Sequence, residues 1–411
     1  MIDIKYFAII FTTTILFFSC NRHKTNGEKS EVNTPKGILV SPKELIVIKE
    51  KAQLGVEPHR TNVAIFISYI DSMMQVSSNW PELSDEVVIV DRNSRNPLQL
   101  SATGGKLVYG TAIAWHLTGD PKYANKAKAL ILDLTDTYGY RNDEHEAFHW
   151  GAQGILNLAR GGTPYIYAAD LLEGWQDWTA IDKLKYQTWL RDIMYAKVAW
   201  ASRYRKNNWG VAGSFSAALI AYYLMDHPEW TLEEISPKSM KLSPKEAFDA
   251  HNSCQFGRLK TSNDWKMDAK VSLWGILPNG AIPEEIRRGD DPIDGDHLPT
   301  DGSGTHYSMT HIEHLTAHAE FLRRLGDPSL YDNVENDGSG SLLQAYLFII
   351  DNPIKSHCFT YDRMNALYMS YQYYKHPALL NSLKECRPSS IMGQRLALFA
   401  RLTHPLTISN E

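Results

Sequence analysis

The sequence predicts an all-α fold built from helical hairpins. From Ser41 onward, apolar residues recur with a period near 3.6, and strand-like alternation is scarce. Ser41-Pro42-Lys43-Glu44 and Ser243-Pro244-Lys245-Glu246 each combine a cap residue, a proline at the first helical position and a glutamate at the third. The turns Gly119-Asp120-Pro121 and Gly326-Asp327-Pro328 can end one helix and begin the next. Hairpins are therefore expected to repeat along the chain.

The periodic segments extend this prediction over most of the chain, and only Glu86 to Val90 is a weak strand candidate. A tetratricopeptide solenoid requires a fixed period of about 34 residues. The spacing here is irregular, with long polar inserts over 142–162 and 289–305, which favours a closed toroid of helix pairs. Because no linker divides residues 41–402, we expect one domain. The predicted helices run roughly over 61–74, 106–117, 122–138, 164–172, 179–200, 211–225, 308–325, 342–350 and 361–385.

The N-terminus predicts export and a lipid anchor. Residues 1–19 contain one lysine and an apolar run that is shorter than the roughly 20 residues of a membrane-spanning helix, so they read as a signal peptide. Ser19-Cys20 resembles a lipobox, which predicts lipidation of Cys20 and a location in the periplasm or at the outer membrane; an ordinary signal peptide with a chance cysteine is the alternative. Residues 20–40 then predict a flexible tether, and residues 403–411 a tail.

Composition excludes several function classes. The 411 residues carry 42 Lys+Arg against 47 Asp+Glu, a net charge of −5, with 43% hydrophobic residues, so neither a disordered chain nor a nucleic-acid partner recognised by bulk charge is expected. After Cys20 only Cys254, Cys358 and Cys386 remain, without a CxxC pair, which argues against a zinc ribbon or a redox motif. The 11% aromatic content suggests sugar-binding platforms, although helix packing explains most individual aromatic residues.

Three polar islands between the predicted helices carry the candidate chemistry. They are Phe148-His149-Trp150-Gly151, Lys206-Asn207-Asn208-Trp209-Gly210, and the segment from Pro283 to Gly289 that leads to Thr305-His306-Tyr307. Asn-Asn-aromatic at the head of a helix, then Gly-Ala-Ile-Pro-Glu-Glu-Ile-Arg-Arg-Gly over 280–289, then His-Tyr opening another helix, resembles the alginate-lyase superfamily of polysaccharide lyases. The resemblance extends more weakly over about 42–402, and it implies an incomplete (α/α) toroid.

The resemblance also implies a reaction. Such a lyase removes the C5 proton of a uronic acid and expels the C4 oxygen, so it must neutralise the sugar carboxylate and supply a base and an acid. By resemblance, Asn208 would hold the carboxylate, Arg288 would lie against the carboxylate or the tyrosine, and Tyr307 would transfer the proton. The further residues expected to contact an acidic polysaccharide are Asn207, Trp209, Arg287, His306 and Trp150.

The sequence departs from the family pattern at one position. In the alginate-cleaving members a histidine follows the second asparagine, whereas this chain has Trp209. We expect His149 to replace that histidine as the base, with His251 and His306 as weaker candidates. The change favours a substrate other than plain alginate, such as a glucuronate-rich polymer.

Metal binding is a competing prediction. His311, His314 and His318 fall at i, i+3 and i+7 on one helix face, and with His306 they could suggest zinc, but no HExxH is present. We favour packed or cleft-lining histidines and expect no cofactor. The acidic loop between Asp290 and Asp301 is spaced too irregularly for an EF-hand and predicts a solvated loop.

Two other function classes stay open. An (α/α) toroid can host a glycoside hydrolase, which needs two carboxylates beside the bond; the candidates are Asp143, Glu144, Glu146, Glu284 and Glu285. A surface lipoprotein could instead bind glycans without cutting them, through Trp115, Trp150, Trp175, Trp178, Trp209 and Trp265. For a polyanionic substrate, a chain with net charge −5 must concentrate cations locally; the expected cations are Arg203, Arg205, Lys206, Arg287 and Arg288.

Overall fold

The structure is a computed structural model. It describes residues 35–77, 104–137, 144–205, 207–234, 240–255, 259–261, 264–268, 275–286, 303–332, 340–351, 365–386 and 396–406. For residues 76–77, 137, 144–154, 259–261, 264–268, 303 and 386, only the backbone is described.

Helices dominate this part of the chain. They are α1 (Pro42–Gln53), α2 (His59–Ser77), α3 (Gly105–Thr118), α4 (Pro121–Thr137), α5 (Glu144–Leu172), α6 (Ala180–Trp189), α7 (Ala196–Tyr204), α8 (Asn208–Tyr223), α9 (Pro244–Ser253), α10 (Pro283–Ile286), α11 (Ser303–Arg324), α12 (Ser329–Asp332), α13 (Leu342–Asp351), α14 (Asn365–Tyr374), α15 (Pro377–Cys386) and α16 (Ala400–Thr403). The described strands form two antiparallel ribbons: β1 (Leu232–Glu234) with β2 (Met240–Leu242), and β3 (Leu259–Thr261) with β4 (Asp264–Asp268).

Local capping fixes where several helices begin. The Ser41 hydroxyl accepts the Glu44 N–H, and the Glu44 carboxylate accepts the Ser41 N–H, so α1 starts with a complete capping box. Ser243 and Glu246 form the same box at the start of α9. Gly119 ends α3 in the left-handed conformation, with φ of 80°. These predicted helix ends are confirmed.

The helices pack as a series. α3, α5, α8, α11 and α14 each contact the next, α14 contacts α16, and α16 returns to α1 and α2. The other long helices pack on members of this series, for example α4 on α3 and α5, and α7 and α9 on α8. The all-α class is confirmed. No helix within the described ranges is both long and apolar enough to cross a bilayer.

Aromatic side chains fill the interior between the helices. Trp175 and Trp178, which the sequence offered as glycan platforms, are buried in the core, and the Trp175 ring lies 5.8 Å from the partly buried Trp115 ring. The aromatic content of these parts of the chain therefore serves helix packing. The largest fully buried side chains include Tyr109, Tyr123, Tyr167, Tyr186, Tyr195, Tyr223, Tyr331 and Tyr346.

Three predicted helices differ from those observed. α5 begins at Glu144 and contains Pro164, so most of the predicted polar insert over 142–162 is helical. A proline lacks the N–H of the helical ladder and usually marks a first turn. The hydroxyls of Thr163 and Ser216 both donate to the Ala159 carbonyl in the preceding turn. The predicted helix 179–200 contains a π-helical segment, Leu190–Tyr195. The predicted helix 361–385 breaks at Lys375, where φ is 51°. The weak strand candidate at 86–90 lies outside the described residues.

The chain enters the core earlier than predicted. Ile38, Leu39 and Val40, placed in the tether by the sequence, are buried against the helices. Both carboxylate oxygens of Asp170 on α5 hold this segment, accepting the N–H of Lys36 at 2.6 Å, of Gly37 at 2.8 Å and of Ile38 at 3.3 Å. At the other end, the predicted tail from 403 begins inside α16, and His404 is also partly buried. The tether was predicted from the polar composition of residues 20–40. Its last residues are nevertheless buried, because Ile38, Leu39 and Val40 are apolar and Asp170 accepts the backbone N–H groups of residues 36–38.

Replacing Asp170 with alanine is expected to destabilise the protein by about 2–4 kcal/mol, because the N–H groups it accepts are left without partners. Denaturant unfolding measures this loss. Asp249→Ala is the control, because Asp249 is exposed and only pairs with Lys245 on the surface of α9, so a change below about 1 kcal/mol is expected. Equal losses for both variants would contradict the anchoring role.

Candidate active site

Asn207 and Asn208 have different tasks at the start of α8. The Asn207 side chain caps the helix, because its Oδ1 accepts the Trp209 N–H at 3.0 Å. Asn208 is the first helical residue and is only 1% exposed. Because Asn207 supplies the cap, the Asn208 amide is available for other partners. Asn207 therefore has a structural role as the helix cap, and Asn208 is the candidate functional residue.

A tight turn brings Glu285 to this helix end. Leu277 N–H donates to the Ala281 carbonyl at 2.8 Å, and Gly280 N–H donates to the Leu277 carbonyl at 2.7 Å. Gly280 has φ of 91°, and a Cβ at this position would lie 2.1 Å from the Gln344 carbonyl oxygen, so only glycine fits. The turn leads into the single turn of α10, which carries Glu285 into the interior with no exposed surface.

Asn208 is the centre of a hydrogen-bonded network. Its backbone N–H donates to Glu285 Oε1, and its Nδ2 donates to Glu285 Oε2 at 2.9 Å. Its Oδ1 accepts from Arg160 Nη2 on α5 at 2.8 Å. Arg160 Nε also donates to His314 Nε2 at 3.2 Å, so the other His314 nitrogen, Nδ1, carries the proton that it donates to the Asn208 carbonyl at 3.0 Å. Helices α5, α8, α10 and α11 therefore meet at one residue.

His311 of α11 extends the network through Glu285. Its Nδ1 lies 3.0 Å from Glu285 Oε1, and both side chains are fully buried. Donation from Nδ1–H to the carboxylate leaves Nε2 with a lone pair, and Nε2 has no hydrogen-bond partner among the described residues. A carboxylate that holds an imidazole in one tautomer is the usual orientation of a histidine base. His311 is therefore a candidate proton acceptor.

Tyr307 lies one helical turn before His311, so α11 presents the two residues on the same face. Tyr307 is half-buried, and its ring lies edge-on to the exposed His306 ring at 5.3 Å. One helix face thus carries a half-buried phenol and, one turn further along, a fully buried imidazole. This pairs two groups capable of proton transfer beside the Asn208 network.

The network joins the second and third sequence motifs and the helix that follows them, through Asn208, Glu285 and His311. Arg287 and Arg288 follow directly after α10 and lie outside the described residues, as does Lys206. His149 and Trp150 belong to α5, but only their backbone is described. His149 precedes Arg160 by eleven positions, or three helical turns, which places it on a similar face roughly 16 Å away. Its predicted role as a base stays a prediction.

The expected cations near the asparagine pair have protein partners. Arg205 stacks its guanidinium over Trp209 and Trp200, at 5.0 Å from each ring centroid, so a cation covers one face of the predicted sugar platform. Glu234 holds Arg203 through two bonds of 2.9 Å. The prediction that Arg203 supplies charge to the substrate is therefore wrong, because a buried carboxylate already neutralises it.

His251, a weaker candidate base, belongs to a different network. It is fully buried, its Nδ1 lies 2.8 Å from the Ser202 hydroxyl, and its Nε2 lies 3.0 Å from the Tyr195 hydroxyl and 3.2 Å from Glu234. Burial alone would raise the pKa of Glu234, but bonds from His251 and Arg203 outweigh it and hold that pKa at about 2. This cluster ties α7, α9 and β1 together and shares no residue with the Asn208 network.

The histidines of α11 each have separate partners. His318 contacts Gln255 and Asn252 at 2.7 Å, and burial together with nearby His251 lowers the pKa of His318 to about 3, so its ring is uncharged. His311 and His314 face Glu285 and the Asn208 carbonyl. Within the described ranges, no three His, Cys, Asp or Glu side chains are grouped to hold a metal ion. The acidic loop at 290–301 lies outside those ranges.

Sequence reasoning missed Arg160. It considered His311 and His314 only as possible zinc ligands or as packed or cleft-lining histidines, and Glu285 only as a hydrolase acid. Arg160 interrupts an apolar helical pattern at Ala159-Arg160-Gly161-Gly162, which was an available signal. The four-residue spacing from Tyr307 to His311 was another. Nothing in the sequence pairs Glu285 with Asn208.

Comparisons with known proteins bear on the family resemblance and the fold. The alginate lyase family model matches residues 71–233, which include Arg160 and Asn208. Among solved structures, the chain is similar to an alginate lyase from Bacteroides ovatus, with a TM-score of 0.59 and 16% identity over 91% of this chain and 100% of that chain. No curated protein matches. The resemblance to alginate lyases and the (α/α) toroid are confirmed.

Proposed function

We propose that the chain is a polysaccharide lyase that cleaves a uronate-containing polysaccharide by β-elimination. The match to the alginate lyase family supports a lyase. The observation that carries the proposal is the hydrogen-bonded group of Asn208, Glu285 and His311, with Tyr307 one turn away. This group combines a carboxylate-binding amide, an oriented imidazole and a phenol, which are the parts that β-elimination needs.

Asn208 is proposed to neutralise the sugar carboxylate. One hydrogen of its Nδ2 goes to Glu285, which leaves the second for a substrate oxygen. Arg160 donates to the Asn208 Oδ1, and this charged donor polarises the amide so that the remaining N–H is a stronger donor. Arg288 follows α10 closely in sequence, and we propose that it adds the positive charge that the amide lacks.

His311 and Tyr307 are proposed to move the protons. His311 Nε2 accepts the C5 proton as the C4–O bond breaks and the C4=C5 double bond forms. Glu285 holds the imidazole through Nδ1 and stabilises its protonated form. Tyr307 donates its phenolic proton to the leaving oxygen. His149, or Tyr307 acting alone as base and acid, is the alternative for the first step.

The proposed substrate is a glucuronate-rich polymer or alginate. Trp209, with its ring against the Arg205 guanidinium, occupies the position of the family histidine, so the carboxylate environment differs from that of alginate-cleaving members. We further propose that Cys20 is lipidated and that the protein is located in the periplasm or at the outer membrane. At either location the enzyme could meet polymers that come from outside the cell.

The other two function classes have less support. Glu285, a candidate hydrolase acid, uses both of its carboxylate oxygens to hold Asn208 and His311. Trp175 and Trp178, candidate glycan platforms, are buried in the core. These contacts favour elimination over hydrolysis or binding without cleavage.

The test is a screen of the purified chain against alginate, glucuronan, pectate and glycosaminoglycans in heavy-oxygen water. A lyase produces an unsaturated uronate with ultraviolet absorbance and incorporates no label. New reducing ends that carry label without absorbance would identify a hydrolase and overturn the proposal, and so would the absence of cleavage on every polymer. Tyr307→Phe protein, purified in the same way, controls for contaminating lyase.

A further inference from the structure

A second cleft opens on a different part of the molecule. It has a volume of about 450 Å³ and lies between α1, the start of α2, the end of α11, α14 and the residues after α16. Arg323, one of its lining residues, follows His311 on α11 by twelve positions, or about 18 Å along the helix. The cleft shares no residue with the Asn208 network. We propose that it binds a short, carboxylate-bearing sugar chain; the class of sugar rests on the proposed function.

Two lysines give the cleft its charge. Lys43 and Lys51 both line it, eight positions apart on α1 and therefore about two turns and 12 Å apart along one side of the helix. Neither has an ion-pair partner among the described residues. A chain of uronates carries one carboxylate per sugar, so two separated ammonium groups can bind successive charges along it.

The carboxylates near the cleft are already neutralised. Glu44 is held by both terminal nitrogens of Arg324, at 2.9 and 2.5 Å. Glu320 is held by Arg323 through bonds of 2.8 and 2.6 Å. Burial alone would raise the pKa of Glu44 and of Glu320. The arginine bonds, with a bond from Ser41 to Glu44 and one from His404 to Glu320, hold both pKa values at about 2. Lys43 and Lys51 therefore remain as the uncompensated charges.

A buried histidine adds a polar group to the cleft wall. His59 lines the cleft and is only 4% exposed, and its buried Nδ1 has no hydrogen-bond partner among the residues that the structure describes. A buried polar atom without a partner costs free energy, and a turn of the imidazole ring that brings this nitrogen to the cleft surface would let a ligand oxygen recover that free energy. Burial and then the charge of Lys51 lower the pKa of His59, so the imidazole is neutral near pH 7 and can donate or accept.

The remaining lining suits a sugar. Gln372 and Thr403 add neutral polar side chains, which also donate to the Pro405 and Phe399 carbonyls, and Val47 and Ile48 add a small apolar surface. The volume lies within the range of about 300–1,000 Å³ that is typical of small-molecule sites. Two cations, neutral hydrogen-bonding groups and an apolar floor together match the carboxylate, hydroxyls and ring face of a uronate.

The test uses Tyr307→Phe protein, to prevent cleavage, and calorimetric titration with glucuronate and mannuronate trisaccharides. Two classes of site are expected. Adding Lys43→Gln and Lys51→Gln is expected to weaken one class at least tenfold and to leave the other within twofold. Lys49→Gln, on the same helix but outside the cleft lining, is the matched control and should retain both classes.

The same two substitutions, Lys43→Gln and Lys51→Gln, are then made in the wild-type chain. They should leave kcat unchanged. KM should rise for the polymer and stay unchanged for a trisaccharide. A single class of site in Tyr307→Phe protein, unchanged binding in the lysine variant, or equally tight binding of inorganic phosphate would overturn the proposal. If the wild-type chain cleaves no uronate polymer, the proposed function fails instead, whatever the titration shows.

Discussion

Replacing His311 with glutamine is expected to lower kcat about 100-fold to 10,000-fold, which is the usual contribution of a positioned general base. Glutamine can still donate to Glu285, so the buried carboxylate keeps a partner while the basic nitrogen is lost. KM should change little, because Asn208 and Arg160 retain their contacts. Initial rates followed by ultraviolet absorbance over a range of pH provide the measurement.

The matched control is His318→Gln. His318 lies on the same helix and is equally buried, but its partners are Gln255 and Asn252. This variant is expected to lose stability and to keep kcat within about threefold. If His311→Gln retains full kcat while His318→Gln does not, the base has been assigned to the wrong histidine. Full kcat in both variants would transfer the base role to Tyr307 or His149.

Tyr307→Phe is expected to reduce kcat about 1,000-fold, because the leaving oxygen loses its proton donor. Only the hydroxyl is removed from a half-buried side chain, so the free energy of unfolding should change by less than about 1 kcal/mol. Tyr371→Phe, at a half-buried tyrosine on α14, is the control and should keep its rate.

A combined His311→Gln and Tyr307→Phe variant shows whether the two residues act together. Groups that serve one step are strongly non-additive, so the double variant is expected to lose little more rate than the worse single variant. Losses that multiply would show that the residues act in independent steps. Tyr307→Phe with an unchanged rate would remove the tyrosine from the mechanism.

Local signals in the sequence predicted the fold well. Ser41, Ser243 and Gly119 fix helix ends through bonds to residues within four positions, and such contacts can be read from the chain itself. Pro164 could not be read in this way. It looks like a helix start, whereas α5 continues through it and packs against α3 and α8, which are distant in sequence. Burial of the segment from Ile38 to Val40 likewise depends on Asp170, more than 130 positions away.

The site was predictable only in part. Asn208 begins α8, and Tyr307 lies in the second turn of α11, each in a recognisable motif. Glu285 and Arg160 join Asn208 across 77 and 48 positions, so their roles depend on tertiary packing that no local pattern records. For Arg203, a local pattern suggested a role that the tertiary contacts do not support. Its position close to the asparagine pair suggested a substrate contact, whereas its guanidinium forms an ion pair with Glu234.

The return of α16 to α1 and α2 bears on the order in which the protein can fold. The Phe66 ring lies 5.0 Å from the Phe399 ring, and the Asn62 amide donates to the Arg401 carbonyl at 3.1 Å, across 339 positions. Contacts this distant in sequence have a large loop-closure entropy and form slowly. α1 and α3 can pack on α2 early, but the part of α2 around Asn62 and Phe66 stays uncovered until α16 is available. Truncation before residue 396 would leave that part of α2 open in the finished protein.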